Sequence, residues 1–581
     1  MKATFKQLLN LQVGAAISEC SGIENCNGNV ITASKPEFGD YQANGIMSVA
    51  KQLDRNPREL AQQVVEHLNA LENNIVESYA IAGPGFINIR ISNVALLSLA
   101  NVALLKPEAL VTRVASPATI VVDYSSPNLA KEMHVGHLRG TIIGDSLVRV
   151  MEKVGHKIIR QNHVGDWGTQ FGMLIAFMQE LQKQKTGELP QQLSDLEQFY
   201  RAAKNKFDAD PEFADEARKS VVKLQSGDPS YKQVWNQFIE ESLTHCEEIY
   251  DKLNITLSRD DLDAESRYND DLEGVTELLN SKGLLSESDG AKVVFLSEFV
   301  GKDGNPLPVI IQKSDGGYLY STTDLAAIKF RSEELDADRS LYVVDARQSL
   351  HFQQVFAVSK SAQLTSDKIS LEHIAYGTMM GSDGTPFKTR SGDTVKLIDL
   401  LDESVRRAYD LVTEKNPELD KELCLSIAKK VGIASVKYAD LSKNRTSDYI
   451  FDWSMMLSFE GNTAPYLMYA YARIKSILRK GEAENFEEEI ISIDENEERL
   501  LILKILQISD IIHSVSEDCF PNQLCNYLYE LAGLFMRFYE ACPILKSDPL
   551  KRNSRLSLAK LTASALQQGL DLLGIETLER M

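Results

Sequence analysis

Residues 118–163 read ATIVVDYSSPNLAKEMHVGHLRGTIIGDSLVRVMEKVGHKIIRQNH, and this stretch decides the fold. It opens with a nearly continuous apolar, β-branched run, ATIVVDY (118–124), which is typical of a strand buried on both faces. After the turn SSPN, apolar residues recur at helical spacing as far as Gly155. KIIRQNH (157–163) predicts the next strand. A strand, a helix and a strand in this order form a βαβ unit, so the sequence predicts a parallel sheet.

The rest of the chain divides into segments with different patterns. FINIRIS (86–92) alternates apolar and polar residues like a half-buried strand, and further strands are predicted at AKVVFL, PVIIQK, SLYVVDA and HIAYGTM, between residues 291 and 379. The acidic stretch NFEEEIISIDENEER (485–499) is predicted to be a solvated surface or a linker. The predicted segments are an α+β domain at 1–112, an α/β domain at 113–400 with a charged helical insertion at about 181–260, a helical connection at 401–455 and an all-α domain at 456–581.

Composition excludes several classes of protein. The chain has 581 residues and a formal net charge of −21, which argues against a protein that coats nucleic acid nonspecifically but allows a partner bound through local basic patches. Its seven cysteines include no CxxC pair, which argues against a disulfide framework or a cysteine-based zinc site. No apolar run approaches the roughly 18 residues of a membrane helix. No signal-peptide pattern is present at the N-terminus, so we expect a cytoplasmic protein.

Two histidines, His134 and His137, stand where the first predicted strand gives way to its helix. In doubly wound sheets ligands bind at this edge, and a helix N-terminus with a nearby glycine suits phosphate. A metal site would need a third ligand, usually a carboxylate or thiolate, at a recognisable spacing. The third interpretation is local packing. A second dense stretch, QNHVGDWGTQFG (161–172), follows the next strand; taken alone it fits a glycine-rich turn held by Trp167, but two such clusters on adjacent strand ends favour a functional edge.

These residues carry a family resemblance. HVGH (134–137) resembles the HIGH signature of class I aminoacyl-tRNA synthetases, a pattern that nucleotidylyltransferases share. The longer strings SSPNLAKEMHVGHLRGTIIGD and NHVGDWGTQFG resemble arginyl-tRNA synthetases of bacterial type. The resemblance continues through GGYLYSTTDLAA, VVDARQSLHFQQ, GTPFKTRSG, GNTAPYLMYAYARI and the terminal LERM, so it covers nearly the whole chain.

The resemblance implies an α/β fold: a Rossmann-like parallel-sheet catalytic domain with an N-terminal α+β domain and a C-terminal all-α helical bundle. It implies that arginine and ATP, with Mg²⁺, give arginyl-adenylate and pyrophosphate, and that arginine then passes to the 3′-terminal adenosine of tRNA(Arg). In this family the first step needs bound tRNA. A cytoplasmic monomer without a structural metal ion and without membrane contact is expected.

The resemblance also implies the site residues. Catalytic roles fall on His134, His137 and Lys131, ATP contacts on His134, Gly136, His137, Met379 and Met380, and arginine contacts on Ser126, Asn128, Glu265, Tyr320, Asp324 and Gln348. The residue types suit the substrate, because a guanidinium is planar, always charged and best satisfied by carboxylates, whereas lysine is a point charge. Tyr320 and Asp324 are four residues apart, so a helix would place them on one face.

The chain departs from the family pattern at one loop. Class I enzymes usually carry a KMSK loop whose second lysine stabilises the transition state, and the corresponding stretch here is PFKTRSG. Phe387 takes the methionine position and neither lysine is matched, although Lys388 and Arg390 keep positive charge nearby. We hypothesise that Lys388 contacts the pyrophosphate.

The tRNA contacts are expected in the terminal domains. The C-terminal domain resembles the family's anticodon-binding bundle, where Tyr466 and Arg473 are expected to contact or stack on unpaired bases. Tyr469 and Tyr471 are further candidates, and helical spacing predicts that some of these four side chains belong to the core. FGDYQAN (38–44) lies in the domain expected to meet the tRNA elbow.

Two other classes of protein remain as alternatives. A small-molecule nucleotidylyltransferase would share HxGH, and a noncatalytic tRNA-binding paralogue would explain the degenerate loop. The arginyl-specific strings argue against the first and the intact site residues against the second.

Overall fold

The computed structural model describes residues 3–71, 73–183, 196–302, 304–387, 395–482 and 489–581. In chain order, the helices are α1 (Phe5–Ser21), α2 (Ile46–Gln52), α3 (Pro57–Ala70), α4 (Asn93–Leu105), α5 (Val135–Val154), α6 (Thr169–Lys183), α7 (Leu196–Ala209), α8 (Pro211–Gln225), α9 (Pro229–Leu253), α10 (Leu272–Ser281), α11 (Tyr320–Glu333), α12 (Ser349–Ala362), α13 (Leu397–Lys415), α14 (Lys421–Leu441), α15 (Trp453–Met456), α16 (Ala464–Glu482), α17 (Asn496–Leu506), α18 (Ile508–Asp518), α19 (Asn522–Ala541) and α20 (Pro549–Leu572).

The strands are β1 (Val30–Thr32), β2 (Tyr41–Ala43), β3 (Val76–Ala82), β4 (Phe86–Ile91), β5 (Thr119–Asp123), β6 (Lys157–Gln161), β7 (Leu285–Ser288), β8 (Ala291–Val300), β9 (Pro306–Gln312), β10 (Arg339–Tyr342), β11 (Ser370–His373), β12 (Met379–Met380) and β13 (Tyr449–Ile450). The chain forms two compact units. The terminal unit contains Met1–Ser116, Lys153–Gly155 and Met455–Met581, and the α/β unit contains Pro117–Glu152 and His156–Ser454.

A parallel sheet forms the centre of the α/β unit, as the sequence predicts. Its strand order is β11-β10-β5-β6, and every neighbouring pair is parallel. β5 is buried along almost its whole length, which accounts for its apolar β-branched composition. Helix α5 connects β5 to β6, so the predicted βαβ unit is confirmed. The carboxyl ends of these strands lie at one edge of the sheet. β5 ends there at Asp123, and the segment that follows it leads to the HVGH motif at 134–137.

Some strand predictions are wrong in their bounds: SLYVVDA (340–346), for example, extends beyond β10, which ends at Tyr342. HIAYGTM (373–379) is not a single strand, because β11 ends at His373 and β12 begins only at Met379. Between them the Gly377 N–H donates to the carbonyl oxygen of Arg445, which draws the chain out of the sheet. A Cβ on Gly377 would lie 2.7 Å from the Ser447 backbone, so this exit needs glycine.

The predicted strands AKVVFL and PVIIQK are confirmed as parts of β8 and β9, but they lie outside the parallel sheet. With β7 they form an antiparallel sheet of order β7-β8-β9. Buried side chains from this sheet, helices α10 to α12 and strand β10 share one hydrophobic core. That core fixes α11, which carries Tyr320 and Asp324, and α12, which begins directly after Gln348. The charged insertion is helical over α7, α8 and α9, and its residues 184–195 lie outside the described part.

The terminal unit joins both ends of the chain. Its N-terminal sheet has the order β1-β2-β4-β3 and is antiparallel, and β4 alternates between buried and partly buried residues as FINIRIS predicts. The C-terminal helices pack in the same unit, where the Tyr41 hydroxyl donates to Asp510 Oδ2 at 2.7 Å. Among the described residues, no helix is both long enough and apolar enough to cross a membrane.

The acidic stretch at 485–499 is only partly the solvated surface or linker that its composition predicts: of its described residues 489–499, residues 490 and 494–496 are exposed, but the end of the stretch packs as part of α17. Glu498 and Arg499 are buried. Glu498 accepts from Arg555 at 2.8 Å, and Arg499 donates to Asp40 at 2.7 Å. The prediction failed at this end because the partners that neutralise these charges are remote in sequence.

We expect loss of the Arg499–Asp40 pair to destabilise the terminal unit. Both side chains are at most 5% exposed, so Arg499→Ala leaves a buried carboxylate without its counter-charge, at a cost of roughly 3–5 kcal/mol. Arg90→Ala removes a pair with Glu77 whose side chains are 42% and 53% exposed, and should cost roughly 0–1 kcal/mol. Urea unfolding of the full chain, followed by circular dichroism, measures both. Equal, small decreases in the free energy of unfolding for the two variants would show that the buried pair adds little to stability.

Candidate active site

A strained turn links β5 to the first histidine motif. Ser125 and Ser126 have φ angles of +69° and +46°, the left-handed region that non-glycine residues rarely occupy. The turn is held by hydrogen bonds: Ser126 N–H donates to Asn162 Oδ1 at 2.9 Å, and Ser126 Oγ donates to Asp123 Oδ1 at 2.8 Å. His163 N–H donates to Ser126 Oγ at 3.1 Å. The Ser126 hydroxyl, a predicted arginine contact, therefore already has two partners within the chain.

The helical insertion supports the same turn through a residue that sequence reasoning missed. Tyr250, near the end of α9, shares a hydrogen bond of 2.7 Å with Ser125 Oγ and accepts from Asn162 Nδ2 at 3.1 Å. Thr141 Oγ1 donates to Ser125 Oγ at 2.9 Å. Burial raises the pKa of Tyr250, so its hydroxyl stays protonated. No local pattern distinguishes Tyr250 from the other apolar-face residues of a long amphipathic helix.

Beneath the turn lies a buried network of charged groups. Arg331 of α11 donates to Asp123 at 2.8 Å and to Gln161 at 2.6 Å, and its guanidinium stacks over a tyrosine ring. His163 lies 3.4 Å from Asp263. Burial alone lowers the pKa of His163, but hydrogen bonding to Asp263 and the charge of Asp123 raise it to about 9. The network therefore balances positive and negative groups in the protein interior.

The second dense stretch is largely structural. Asp166 accepts from the Ser266 backbone N–H at 2.9 Å and from its hydroxyl, while its own carbonyl accepts from Trp235 Nε1 at 2.8 Å. Trp167 meets Trp235 edge-on, with ring centroids 5.9 Å apart. The interpretation of a glycine-rich turn held by Trp167 therefore accounts for much of QNHVGDWGTQFG, and this turn supports the edge of the site.

The HVGH motif fixes both imidazoles by backbone hydrogen bonds. The His134 N–H donates to His137 Nδ1 at 3.0 Å, and the Gly136 N–H donates to His134 Nδ1 at 3.1 Å. Because Nδ1 accepts in both rings, a neutral ring carries its proton on Nε2. The ring centroids are 4.0 Å apart. The motif therefore presents two Nε2–H donors side by side at the start of α5.

The surroundings favour the neutral form of both imidazoles. Burial and the charge of Lys131 lower the pKa of His134, and burial, with the neighbouring His134, lowers that of His137 to about 3. Gly136 lets the His134 ring keep this position, since a Cβ there would lie 2.8 Å from Cε1 of His134. Among the described residues, no three His, Cys, Asp or Glu side chains converge as a metal site requires. Two neighbouring Nε2–H donors at the start of a helix suit phosphate oxygens, as the phosphate interpretation of the two histidines requires.

Positive charge stands close to the motif. The Lys131 ammonium lies 4.5 Å from the centroid of the Tyr200 ring, on helix α7 of the insertion. Lys396 forms an ion pair with Glu132 at 3.0 Å. The backbone around Lys396 also pairs with the motif, because Val135 N–H donates to the carbonyl of Val395 at 3.1 Å. The segment that follows the KMSK-like loop is thus hydrogen bonded to HVGH.

The other end of that loop is held by a small parallel pairing. Met379 and Met380 form β12, which pairs with β13, and Met379 is buried. Phe387 N–H donates to the Met379 carbonyl at 3.0 Å, and its ring lies 5.0 Å from that of Phe451. Lys388 and Arg390 lie outside the described residues.

The predicted guanidinium contacts come from two segments. Tyr320 and Asp324 lie one turn apart on α11, as predicted, and the Tyr320 ring is 60% exposed. Glu265 lies beside the segment that follows β6, since its N–H donates to the Val164 carbonyl at 3.0 Å. Burial, together with the charges of Asp324 and Asp166, raises the pKa of Glu265 to about 7. Glu265 and Asp324 therefore sense each other's charge, which makes a site that favours a cation.

The remaining predicted arginine contacts lie at the same edge of the parallel sheet. Asn128 follows the strained turn, its backbone bridges to Gly165, and its Oδ1 accepts from the Ala130 N–H at 3.0 Å. Gln348 is exposed and ends a short 3₁₀ turn, Ala346–Gln348, that follows β10.

In the terminal unit the two predicted tRNA contacts are placed on α16. Tyr466 is half-buried and meets Tyr529 edge-on, with ring centroids 5.4 Å apart. The Arg473 guanidinium stacks 4.8 Å from the centroid of the Tyr539 ring. Tyr471 belongs to the core, at 2% exposure, whereas Tyr469 is 42% exposed, so helical spacing separates the core tyrosine from the accessible one.

Comparison with known proteins finds three protein families that match successive parts of the chain. Residues 100–453 match the family "tRNA synthetases class I (R), catalytic domain", residues 467–581 the "DALR anticodon binding domain", and residues 7–91 the "Arginyl tRNA synthetase N terminal domain". The arginine–tRNA ligase of Laribacter hongkongensis is 54% identical over 578 residues and covers 100% of both chains. That of a Marinomonas species is 55% identical over 577 residues and covers 99% of both chains.

Solved structures give the same result. The arginyl-tRNA synthetase of Plasmodium falciparum superposes with a TM-score of 0.85 at 29% identity, and that of Thermus thermophilus with 0.80 at 25% identity. Each superposition covers 100% of this chain and 100% of the solved chain. From the matched domains, the full-length identity and the shared fold, the chain belongs to the arginine–tRNA ligase family of class I aminoacyl-tRNA synthetases.

Proposed function

We propose that this chain ligates arginine to tRNA in two steps. The arginine carboxylate attacks the α-phosphorus of ATP, which forms arginyl-adenylate as the bond to pyrophosphate breaks. The arginyl group then passes to the 3′-terminal adenosine of tRNA(Arg), and AMP leaves. The observation that carries the proposal is the combination of two Nε2–H donors at the start of α5 with two acidic groups, Glu265 and Asp324, that interact electrostatically.

On the phosphate side, His134 and His137 would donate their Nε2–H groups to phosphate oxygens as charge builds in the transition state. Neutral imidazoles donate without needing an acidic solution. Lys131 would add positive charge, and Gly136, Met379 and Met380 would line the ATP contact. Mg²⁺ would enter as part of the ATP substrate. Lys388 would contact the leaving pyrophosphate, in place of the unmatched KMSK lysine.

On the arginine side, Asp324 and Glu265 would hold the guanidinium, which has five donors for their oxygens. The exposed ring of Tyr320 would stack on its face. Ser126 and Asn128 would contact the α-amino and carboxylate groups, and Gln348 would make a further contact with arginine. The charge balance supports this arrangement, because two neighbouring carboxylates need a cation.

The tRNA would bind the terminal unit through unpaired bases. Tyr466, with Tyr529 beside it, offers an aromatic surface, and Arg473 offers a guanidinium plane. Binding to a protein of net charge −21 should weaken steeply with salt, because only local basic groups attract the phosphates. The family resemblance further implies that a single chain works in the cytoplasm and that activation requires bound tRNA.

Arginine-dependent ATP–pyrophosphate exchange, measured with and without tRNA, tests the proposed function. Exchange that requires both arginine and tRNA is expected. Exchange without either would indicate a small-molecule nucleotidylyltransferase. No exchange, with ATP binding intact, would indicate a noncatalytic tRNA-binding paralogue.

The raised pKa of Glu265 predicts that arginine binding depends on pH. With a pKa of about 7 in the empty site, this carboxyl is increasingly protonated as the pH falls below that value. A bound guanidinium favours the ionised form, so arginine must then displace a proton, and KM for arginine should rise by up to about tenfold per pH unit below pH 7. Steady-state charging between about pH 6 and 8.5 measures this dependence. Glu265→Gln should flatten it while KM for ATP follows the wild type; an unchanged slope would assign the proton elsewhere.

A further inference from the structure

The guanidinium pocket contains a histidine that the sequence predictions do not use. His351 lies in the first turn of α12, and its Nε2 is 2.6 Å from Asp324 Oδ2. The two side chains are 15% and 17% exposed, so the contact is largely shielded from water. The His351 ring also meets the Tyr320 ring edge-on, with centroids 4.8 Å apart. One side chain from α12 therefore touches both residues that α11 contributes to the pocket.

The direction of this hydrogen bond follows from chemistry. An ionised carboxylate only accepts, so His351 Nε2–H is the donor. It uses one acceptor position of Asp324 Oδ2 and leaves the second position of Oδ2 and both of Oδ1 for other donors. The ring contact limits the rotation of Tyr320, whose outer side faces solvent. On its own side, His351 packs against Phe352, which is buried in the core shared by α10 to α12. The support is thus anchored in the hydrophobic core.

Asp324 needs such support. Its carboxylate stands within electrostatic reach of Glu265, and like charges push a flexible carboxylate towards solvent. A bidentate contact with a guanidinium tolerates little misplacement, because both hydrogen bonds depend on the angle of one planar group. Without a donor from a second helix, the rotamer of Asp324 would be set only by α11.

We propose that His351 is a positioning residue for arginine recognition, which holds the Asp324 carboxylate and the Tyr320 ring in the geometry that a guanidinium requires. The proposal rests on the proposed contact between Asp324 and the substrate guanidinium. His351 touches neither ATP nor the reacting carboxylate in this role. Its effect should therefore appear in KM for arginine rather than in kcat.

Steady-state tRNA charging by three full-chain variants tests this role. His351→Leu should raise KM for arginine roughly 10- to 100-fold, the range for one hydrogen bond to a charged group, with kcat and KM for ATP within about threefold of wild type. His351→Gln places an amide N–H near the position of Nε2 and should stay within about fivefold of wild type. His245→Leu, which removes a partly exposed histidine 3.5 Å from Glu241, is the matched control and should change nothing.

Discrimination against lysine supplies a second readout. A point charge gains little from a well-oriented carboxylate, whereas a guanidinium gains two hydrogen bonds. The ratio of the inhibition constant of lysine to KM for arginine should therefore fall in His351→Leu. If the leucine variant does not fold, His351→Asn replaces it, since the shorter amide cannot reach Asp324; it should show the loss that His351→Gln does not.

Combining His351→Leu with Asp324→Asn tests the positioning role of His351 separately from the guanidinium contact of Asp324. If His351 acts through Asp324, the leucine substitution should change KM for arginine less than about twofold when Asp324 is already asparagine. A full loss in that background overturns the positioning role, as does a leucine variant with wild-type KM while Asp324→Asn is impaired. If Asp324→Asn itself leaves arginine binding unchanged, the guanidinium contact is wrong and the role of His351 falls with it.

Discussion

Replacing Asp324 by asparagine should lower kcat/KM for arginine by roughly 30- to 5,000-fold. The substitution keeps the size and hydrogen-bonding shape of the side chain but removes the charge opposite the guanidinium. Truncating one partner of a buried, hydrogen-bonded charge pair costs about 2–5 kcal/mol, and each 1.36 kcal/mol corresponds to about a tenfold change. The loss should appear mainly as a raised KM for arginine, measured by steady-state tRNA charging.

The matched control for this variant lies in the same α/β unit. Asp336 carries a side chain that is 85% exposed and pairs with Lys368 at 3.4 Å, so Asp336→Asn should leave all kinetic constants unchanged. Glu265 should reduce the loss in kcat/KM, because it still offers one carboxylate to the guanidinium. An Asp324→Asn enzyme with unaltered arginine kinetics would exclude Asp324 from the pocket.

The architecture follows from local patterns where burial is uniform. The β-branched run of β5 and the helical spacing of α5 predict the βαβ unit correctly, since a strand covered on both faces excludes polar residues along its length. The HVGH motif is similarly local, because the hydrogen bonds that fix His134 and His137 span only two or three residues. Short-range constraints of this kind can be predicted from the local sequence.

The supporting residues follow no such pattern. Arg331 pairs with Asp123 across 208 residues, and Arg499 pairs with Asp40 across 459. An arginine in an amphipathic helix is ordinarily solvated, so only the tertiary arrangement reveals that these two are buried. His351 and Tyr250 were missed for the same reason, because each acts on a partner from another element. The end of the acidic stretch was misjudged because composition reports charge but not the position of the opposite charge.

The charged network under the active site connects these observations to catalysis. Arg331, Asp123 and His163 hold Ser126 and its strained turn from below, while Tyr250 holds the neighbouring Ser125. A turn with two left-handed residues persists only where its surroundings hold it. Asn128 and the histidine motif follow this turn along the chain, so the network helps to fix the positions of the proposed substrate contacts. A catalytic site that is organised in advance spends little energy on reorganisation during the reaction.

Replacing His137 by asparagine should lower the rate of arginine activation about 100- to 1,000-fold, the loss measured when one transition-state donor is removed. Asparagine Oδ1 can still accept from the His134 N–H, as Nδ1 does at 3.0 Å, so the turn is kept while the outward Nε2–H is lost. The loss should fall on kcat in tRNA-supported pyrophosphate exchange, with KM for ATP changed far less, because the missing donor acts on charge that develops in the transition state.

The pH profile distinguishes this mechanism from acid catalysis by the same residue. Burial holds the pKa of His137 at about 3, so the ring stays neutral across the working range and donates by hydrogen bonding alone. The wild type and His137→Asn should therefore show parallel pH profiles with different heights. If the variant instead lost an acidic limb near neutral pH, His137 would act as a charged group, and the neutral pair of donors would be the wrong description of this motif. Parallel profiles with a reduced kcat would establish that HVGH stabilises the phosphorus centre through two fixed, uncharged N–H groups.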